Sequence, residues 1–226
     1  MKAVKLWVRQ NPHCLALCYF IFYLVVFFIL EAVSVPRYIL HSPLDDKIPF
    51  CEWFLIPYCL WFLTMPGSLF YFMFKDKEAF FNECFLMFTG MTICLGLYFI
   101  LPNGLDLRVA VDPAKNILCR LVALLQGFDP PTNVCPSIHV ASALAVDIAV
   151  QKSRAFRAKK GWRALSSLTM VMILLSTMFL KQHSVIDVFW GVALTLTLSL
   201  VTYRLPWQRV LQKTPLRILW ARELSF

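Results

Sequence analysis

Residues 14–34 read CLALCYFIFYLVVFFILEAVS, with one acidic side chain, Glu31, and no basic one. At about 1.5 Å of rise per residue a helix of this length crosses the roughly 30 Å hydrocarbon core of a bilayer. Outward from it, runs near 51–74, 80–101, 136–151, 164–181 and 184–203 have the same apolar character, and nearly all the charge lies in the segments between them. The spacing predicts six membrane-spanning helices, the fourth and fifth short, in an all-α bundle that occupies residues 1–226 as one domain. Composition agrees: 59% of the 226 residues are hydrophobic, 15% are charged, and the mean hydropathy is +0.67. Soluble domains carry about a quarter charged residues, so a water-soluble globule is excluded, as are a disordered chain and a secreted disulfide scaffold. Neither an internal repeat nor the alternating pattern of a transmembrane barrel is present.

Lys2, Lys5 and Arg9 precede the first run, the arrangement of a signal peptide, but the apolar stretch is longer than a usual signal core, so it reads as a retained first span. Charge then orients the bundle. Lys2, Lys5, Arg9, Lys75, Lys77, Lys152, Arg154, Arg157, Lys159, Lys160, Arg163, Arg204, Arg209, Lys213, Arg217 and Arg222 fall on one side; Arg37, Lys47, Arg108, Lys115, Arg120 and Lys181 fall on the other. The richer side is cytoplasmic, which puts both termini there in a multi-pass cell-membrane protein. These loops account for the net charge of +9, so anionic lipid headgroups are its partners and nucleic acid is not. Cys14, Cys18, Cys51, Cys59, Cys84 and Cys94 lie in or at the ends of spans as thiols. Cys119 and Cys135 share the outer loop, where spacing leaves both a disulfide and free thiols open.

Ionisable groups within spans are costly, so each is a candidate functional residue. Three separate stretches bring such groups to the non-cytoplasmic face. The third span exits at Pro102 and leads to Arg108, the fourth begins at Pro136-Ser137-Ile138-His139, and the fifth and sixth join around Lys181-Gln182-His183, with Asp187 one turn deeper. His183 and Asp187, four apart at a helix start, share one face, so the carboxylate can hold one imidazole nitrogen and leave the other free as a nucleophile or base. Alone, the pair would read as a buried polar link between helices. Pro136 suits a first helical turn, where free amides, helped by the Ser137 hydroxyl, form an anion site; alone, it would read as an ordinary cap. His139 there is placed to protonate a bound oxyanion. A lone outward Arg108 would snorkel to headgroups, but guanidinium is also the planar fork that grips phosphate.

These residues resemble the type 2 phosphatidic acid phosphatase superfamily, a six-helix membrane fold with three short motifs on its non-cytoplasmic face. Pro136, Ser137 and His139 match Pro-Ser-x-His in full. Ser176, His183 and Asp187 match Ser-Arg-x5-His-x3-Asp, with Thr177 where the Arg would stand. Arg108 alone matches Lys-x6-Arg-Pro, Leu101 and Val109 replacing the Lys and Pro. Ile48-Pro49-Phe50, Glu52-Trp53 and Ile56-Pro57-Tyr58 also look like the family's entry to its second span, and the likeness covers about residues 45–203.

The resemblance implies a membrane-embedded phosphatase that hydrolyses a lipid phosphate or diphosphate monoester through a phosphohistidine. His183 would attack phosphorus, Asp187 would orient it, and His139 would protonate the departing oxygen. Arg108, Ser137 and Ser176 would bind phosphate, with Lys181 the nearest substitute for the missing cations and Lys115 and Arg120 poorer ones. No metal or other cofactor is needed in this scheme. A branch resembling inositol phosphorylceramide synthases, which also lacks the full first motif and the third-motif Arg, transfers a phospho-headgroup to a lipid alcohol with the same residues. A non-catalytic lipid-phosphate binding or transport protein is the third alternative, against which the retained histidines and Asp187 argue.

Overall fold

The computed structural model describes residues 2–220; Arg222 and the side chains of Lys2 and Lys5, counted above, lie outside the described residues. In chain order the elements are α1 (Lys2–Gln10), α2 (Tyr19–Val33), β1 (Tyr38–Leu40), α3 (Leu55–Lys75), α4 (Lys77–Ile100), β2 (Asn103–Leu105), α5 (Ile117–Phe128), α6 (Ile138–Lys152), α7 (Lys160–Phe179), α8 (Val185–Arg204) and α9 (Trp207–Leu211), joined by loops and 3-10 turns. Five stretches among the described residues are long and apolar enough to cross a membrane: Pro12–Val33, Glu52–Lys75, Lys77–Ile100, Lys160–Phe179 and Val185–Arg204. They coincide with five of the six expected runs. The fifth run is not short, because its helix starts at Lys160, ahead of the apolar positions. The run at 136–151 is α6, 15 residues long, about 22 Å at 1.5 Å per residue.

The short α6 is the centre of the bundle. Ile138, every residue from Val140 to Asp147, Ala149 and Val150 are buried, and α6 packs against α3, α4, α7 and α8. A helix apolar on all sides is one surrounded by protein, and Ala141, Ser142, Ala143, Ala145 and Ala149 let its neighbours come close. The approach to α8 is close. A Cβ on Gly191 would sit 2.9 Å from the Ser137 carbonyl oxygen and 3.2 Å from Val140 Cβ. This contact fixes the start of α6 against the first turns of α8.

Glu83, Asp147 and Glu31 inside the spans each accept at least one hydrogen bond, as the cost of burying an open carboxylate favours, although Glu83 Oε2 is buried without a partner. Glu83 on α4 accepts from Ser68 on α3. Asp147 on α6 accepts from Gln151 at 3.1 Å and from Ser166 and Ser167 of α7 at 2.7 and 3.1 Å. Glu31 on α2 accepts from Asn133 at 3.2 Å and Thr132 at 3.4 Å.

The 3-10 turn Pro12–Cys18 packs against Pro215–Trp220, so the N- and C-terminal segments meet at the end of the bundle away from the starts of α3, α6 and α8. The opposite end is a loop cluster. There β1 and β2 pair in parallel, with Ile39 opposite Gly104, and Gly104 bridges antiparallel to Thr132. Asn103 staples this layer to the approach of α6. Its amide donates to the Leu101 and Cys135 carbonyls at 2.9 and 3.1 Å, and its oxygen accepts from the Val134 and Cys135 amides at 2.9 and 2.8 Å.

Two features of this end go beyond the sequence reading. The outer loop contains a helix, α5, capped by the Asn116 side chain on the Cys119 amide. Its inner face, Cys119 and Val122, is buried, Val122 clustering with Leu55, Tyr58 and Leu180, while Ile117, Leu121, Leu124 and Phe128 are exposed. Cys119 and Cys135 are both free thiols, so no disulfide closes the loop; Cys119 is instead buried in the inner face of α5.

Candidate active site

His139 is the second residue of α6, behind the Ser137 cap, whose hydroxyl accepts from the Val140 amide at 3.3 Å. Asp187 lies in the first turn of α8, fully buried, and its backbone oxygen accepts from the Ser137 amide at 3.1 Å. That bond and the Gly191 contact bring the two helix starts together. His183 precedes α8 in a tight turn after α7, its amide and that of Gln182 both donating to the Thr177 carbonyl, at 3.0 and 2.9 Å.

The result is a chain of side chains. His183 Nδ1 lies 2.6 Å from Asp187 Oδ2, and His183 Nε2 lies 3.2 Å from His139 Nδ1. His139 Nε2 in turn lies 3.0 Å from the Tyr58 hydroxyl on α3. The His139 ring rests on Trp61, with centroids 4.4 Å apart, and Trp61 Nε1 donates to Ser142 Oγ at 2.7 Å. The imidazoles that the sequence places in separate segments therefore touch, with a carboxylate behind one and a phenol behind the other.

Arg108 joins them from the loop after β2. Its NH2 donates to Gln182 Oε1 at 2.8 Å, next in sequence to His183, and its NH1 donates to the Gln126 carbonyl of α5 at 3.2 Å. Asp129 stands 4.0 Å from the same guanidinium. Burial lowers the Arg108 pKa and raises that of Asp129, each opposed by the other's charge, and His183 also acts to lower Asp129. Arg108 Nε and Gln126 Nε2 are buried donors without a hydrogen-bond partner. Orphaned donors at one spot are costly unless an acceptor reaches them, and an oxyanion is such an acceptor.

The other expected phosphate ligands are engaged elsewhere. Lys181, in the left-handed region at φ 57°, donates from Nζ to the Asp45 carbonyl at 2.7 Å. Ser176 is buried and donates to the Ile173 carbonyl of its own helix at 2.6 Å. Lys115 pairs with Glu52 at 2.7 Å.

Asp45, Tyr58, Gln126, Asp129 and Gln182 were not expected at the site. Asp45 looks like one of several loop acids in the sequence, yet it is buried. It accepts from Ser184 Oγ at 2.6 Å and from the Val185 and Ser42 amides at 2.8 Å each, and so secures the turn that carries His183. Its early position next to Ile48-Pro49-Phe50 was the available signal. Searches of protein-family models, curated proteins and solved structures give no match to this chain.

Proposed function

We propose that this chain is an integral membrane phosphatase that hydrolyses a lipid phosphate or diphosphate monoester through a phosphohistidine on His183, as the resemblance to type 2 phosphatidic acid phosphatases implies. The observation that carries this reading is the contact of His139 with His183, backed by Asp187, beside Arg108 with its unpartnered Nε. A nucleophile oriented by a carboxylate, a proton carrier within one phosphate's width, and buried donors for the equatorial oxygens are the parts phosphoryl transfer needs.

In this scheme His183 Nε2 forms a bond to phosphorus as the bond to the leaving oxygen breaks. His139, as the imidazolium, gives its Nδ1 proton to that oxygen. Asp187 stabilises the positive ring of the phosphohistidine. Water then attacks phosphorus, its proton passes to His139 Nδ1, and the P–N bond breaks to release inorganic phosphate. Arg108, Gln126 and the first amides of α6 hold the phosphate.

With α6 counted, six helices form the bundle. The basic residues near the chain ends, at the α3–α4 turn and between α6 and α7 put both termini in the cytoplasm and the histidines on the non-cytoplasmic face. An amphiphile could then present its phosphate there with its tail in lipid. The test is a panel of phosphatidate, a polyprenyl diphosphate and a phosphosphingolipid with the detergent-solubilised protein, followed by phosphorus NMR. Inorganic phosphate that disappears with His183→Ala is expected. A new phosphodiester on a lipid alcohol would replace hydrolysis by transfer, and binding without turnover would leave a carrier.

A further inference from the structure

The partner that holds a proton-carrying histidine decides what that histidine can do. A carboxylate would hold it as a cation, and a pure donor would hold it neutral. His139 has neither on Nε2; it has the hydroxyl of Tyr58 at 3.0 Å, on a side chain only 1% exposed. A phenol both donates and accepts.

The protons of the resting chain can be assigned in turn. With Asp187 Oδ2 at 2.6 Å as its acceptor, His183 Nδ1 is the N–H and Nε2 presents a lone pair. His139 Nδ1, 3.2 Å from that lone pair, must be the N–H. A neutral His139 then has a bare Nε2, and Tyr58 supplies the donor. When His139 is the imidazolium, Nε2 carries a proton as well, and the same oxygen accepts it after a rotation of the hydroxyl, with no movement of the ring. In the resting chain the alternative tautomer would set two lone pairs facing each other at 3.2 Å, so His183 as well as Tyr58 keeps the proton on Nδ1. Once the imidazolium has given its Nδ1 proton, the N–H that remains is at Nε2 and the same hydroxyl goes on accepting from it; without the hydroxyl it is a buried donor with no partner.

We propose that Tyr58 is the positioning residue for His139, its hydroxyl partnering Nε2 in every protonation state, as donor to the resting neutral ring and as acceptor from the Nε2–H carried through turnover, so that Nδ1 is the nitrogen that gives and takes the proton on the His183 side of the site. The neighbouring rings are arranged to the same end. Trp61 lies against the His139 ring and is itself fixed by its bond to Ser142, one turn along α6. Tyr58 packs near Leu55, Val122 and Leu180, so α5 contributes through Val122 to holding the phenol in place.

This inference rests on the phosphatase reading for its kinetic arm and stands apart from it in its spectroscopic arm. Tyr58→Phe keeps the ring and removes only the hydroxyl. For a short-chain phosphatidate, whose alkoxide must be protonated to leave, kcat/KM is expected to fall about 10- to 100-fold, the lower range of general acid effects. For p-nitrophenyl phosphate, whose leaving group departs unprotonated, it should change less than about threefold by the same principle. Equal losses on both esters, or no loss on either, would overturn the assignment. Should the wild-type protein cleave neither ester, the phosphatase reading fails, and nitrogen NMR of histidine-labelled protein decides the role of Tyr58 alone. The Nε2 resonance of His139, assigned by its absence in His139→Gln, should move in Tyr58→Phe toward that of a nitrogen without a hydrogen-bond partner, with the resonances of His139 Nδ1 and the His183 nitrogens in place. An unchanged Nε2 resonance would overturn the proposal.

Discussion

Gly191→Ala adds one methyl group at the contact that aligns α6, which bears His139, with α8, which His183 closely precedes. The new Cβ would lie 2.9 Å from the Ser137 carbonyl oxygen and 3.2 Å from Val140 Cβ and Cγ1. Ordinary contact begins near 3.4 Å, so α6 and α8 must part by roughly half an ångström, and the obstacle is backbone that cannot swing aside. Overpacking of this kind costs about 1–3 kcal/mol, against which the better helix propensity of Ala returns at most about 1 kcal/mol. The parting falls on the pair His139 Nδ1 and His183 Nε2, now 3.2 Å apart, and stretches it beyond hydrogen-bond range. Misplacement of reacting groups by about 1 Å costs around a hundredfold, so a loss of about 10-fold in kcat is expected here. Gly90→Ala is the matched control: also a helix glycine, but its Cβ would meet only the side-chain end of Leu198, Cδ1, at 3.6 Å. Thermal unfolding in detergent and phosphate release should place Gly90→Ala at or above the wild type and Gly191→Ala below it. If the two variants are equally stable and equally active, the reasoning about the α6–α8 contact is wrong.

Asp187→Asn removes the charge 2.6 Å from His183 Nδ1 and should lower kcat about 10²- to 10⁴-fold with little change in KM, read by steady-state phosphate release, since the loss of such an orienting carboxylate acts on the transition state. Asp129→Asn removes a carboxylate that competes with phosphate for Arg108 at 4.0 Å. With the carboxylate one-third exposed and screened, about 1 kcal/mol is at stake, so inorganic phosphate should inhibit the variant about fivefold more tightly at neutral pH. Burial raises the Asp129 pKa above its ordinary value. The folded chain therefore takes up this proton more readily than the unfolded one, and stability gains as pH falls through the window between the two values. In the same window phosphate inhibition of the wild type should converge on that of Asp129→Asn. Asp45→Ala leaves Ser184 Oγ and two amides without their acceptor and should cost about 2–4 kcal/mol in thermal or denaturant unfolding, as several bonds to one buried charge are lost.

The membrane-spanning helices were legible because lipid permits few polar residues along a span, so long apolar runs announce themselves and the charges left inside stand out. His183 and Asp187 were legible from their i, i+4 spacing, and His139 from the Pro136-Ser137 helix start. The geometry that joins them was not, because it depends on uncharged or ordinary residues. Tyr58 inside an apolar run reads as packing, Gln182 and Gln126 read as loop polarity, and the contact at Gly191 exists only once two distant segments are side by side. The α5 helix escaped notice because its 12 residues are too few for a span and its leucines face both protein and solvent side. Lys181 is a related case: its charge suggested a phosphate ligand, and the fold has its ammonium on the Asp45 carbonyl, a contact between distant segments that the sequence does not display.

Whether His183 carries the phosphoryl group can be read on the protein itself. The detergent-solubilised chain, mixed for milliseconds with a lipid phosphate labelled at phosphorus and quenched in alkali, should hold an acid-labile label on the peptide containing His183, with none in His183→Gln. Label on any other residue, or phosphate released with no labelled peptide at any mixing time, would contradict a phosphohistidine at this position.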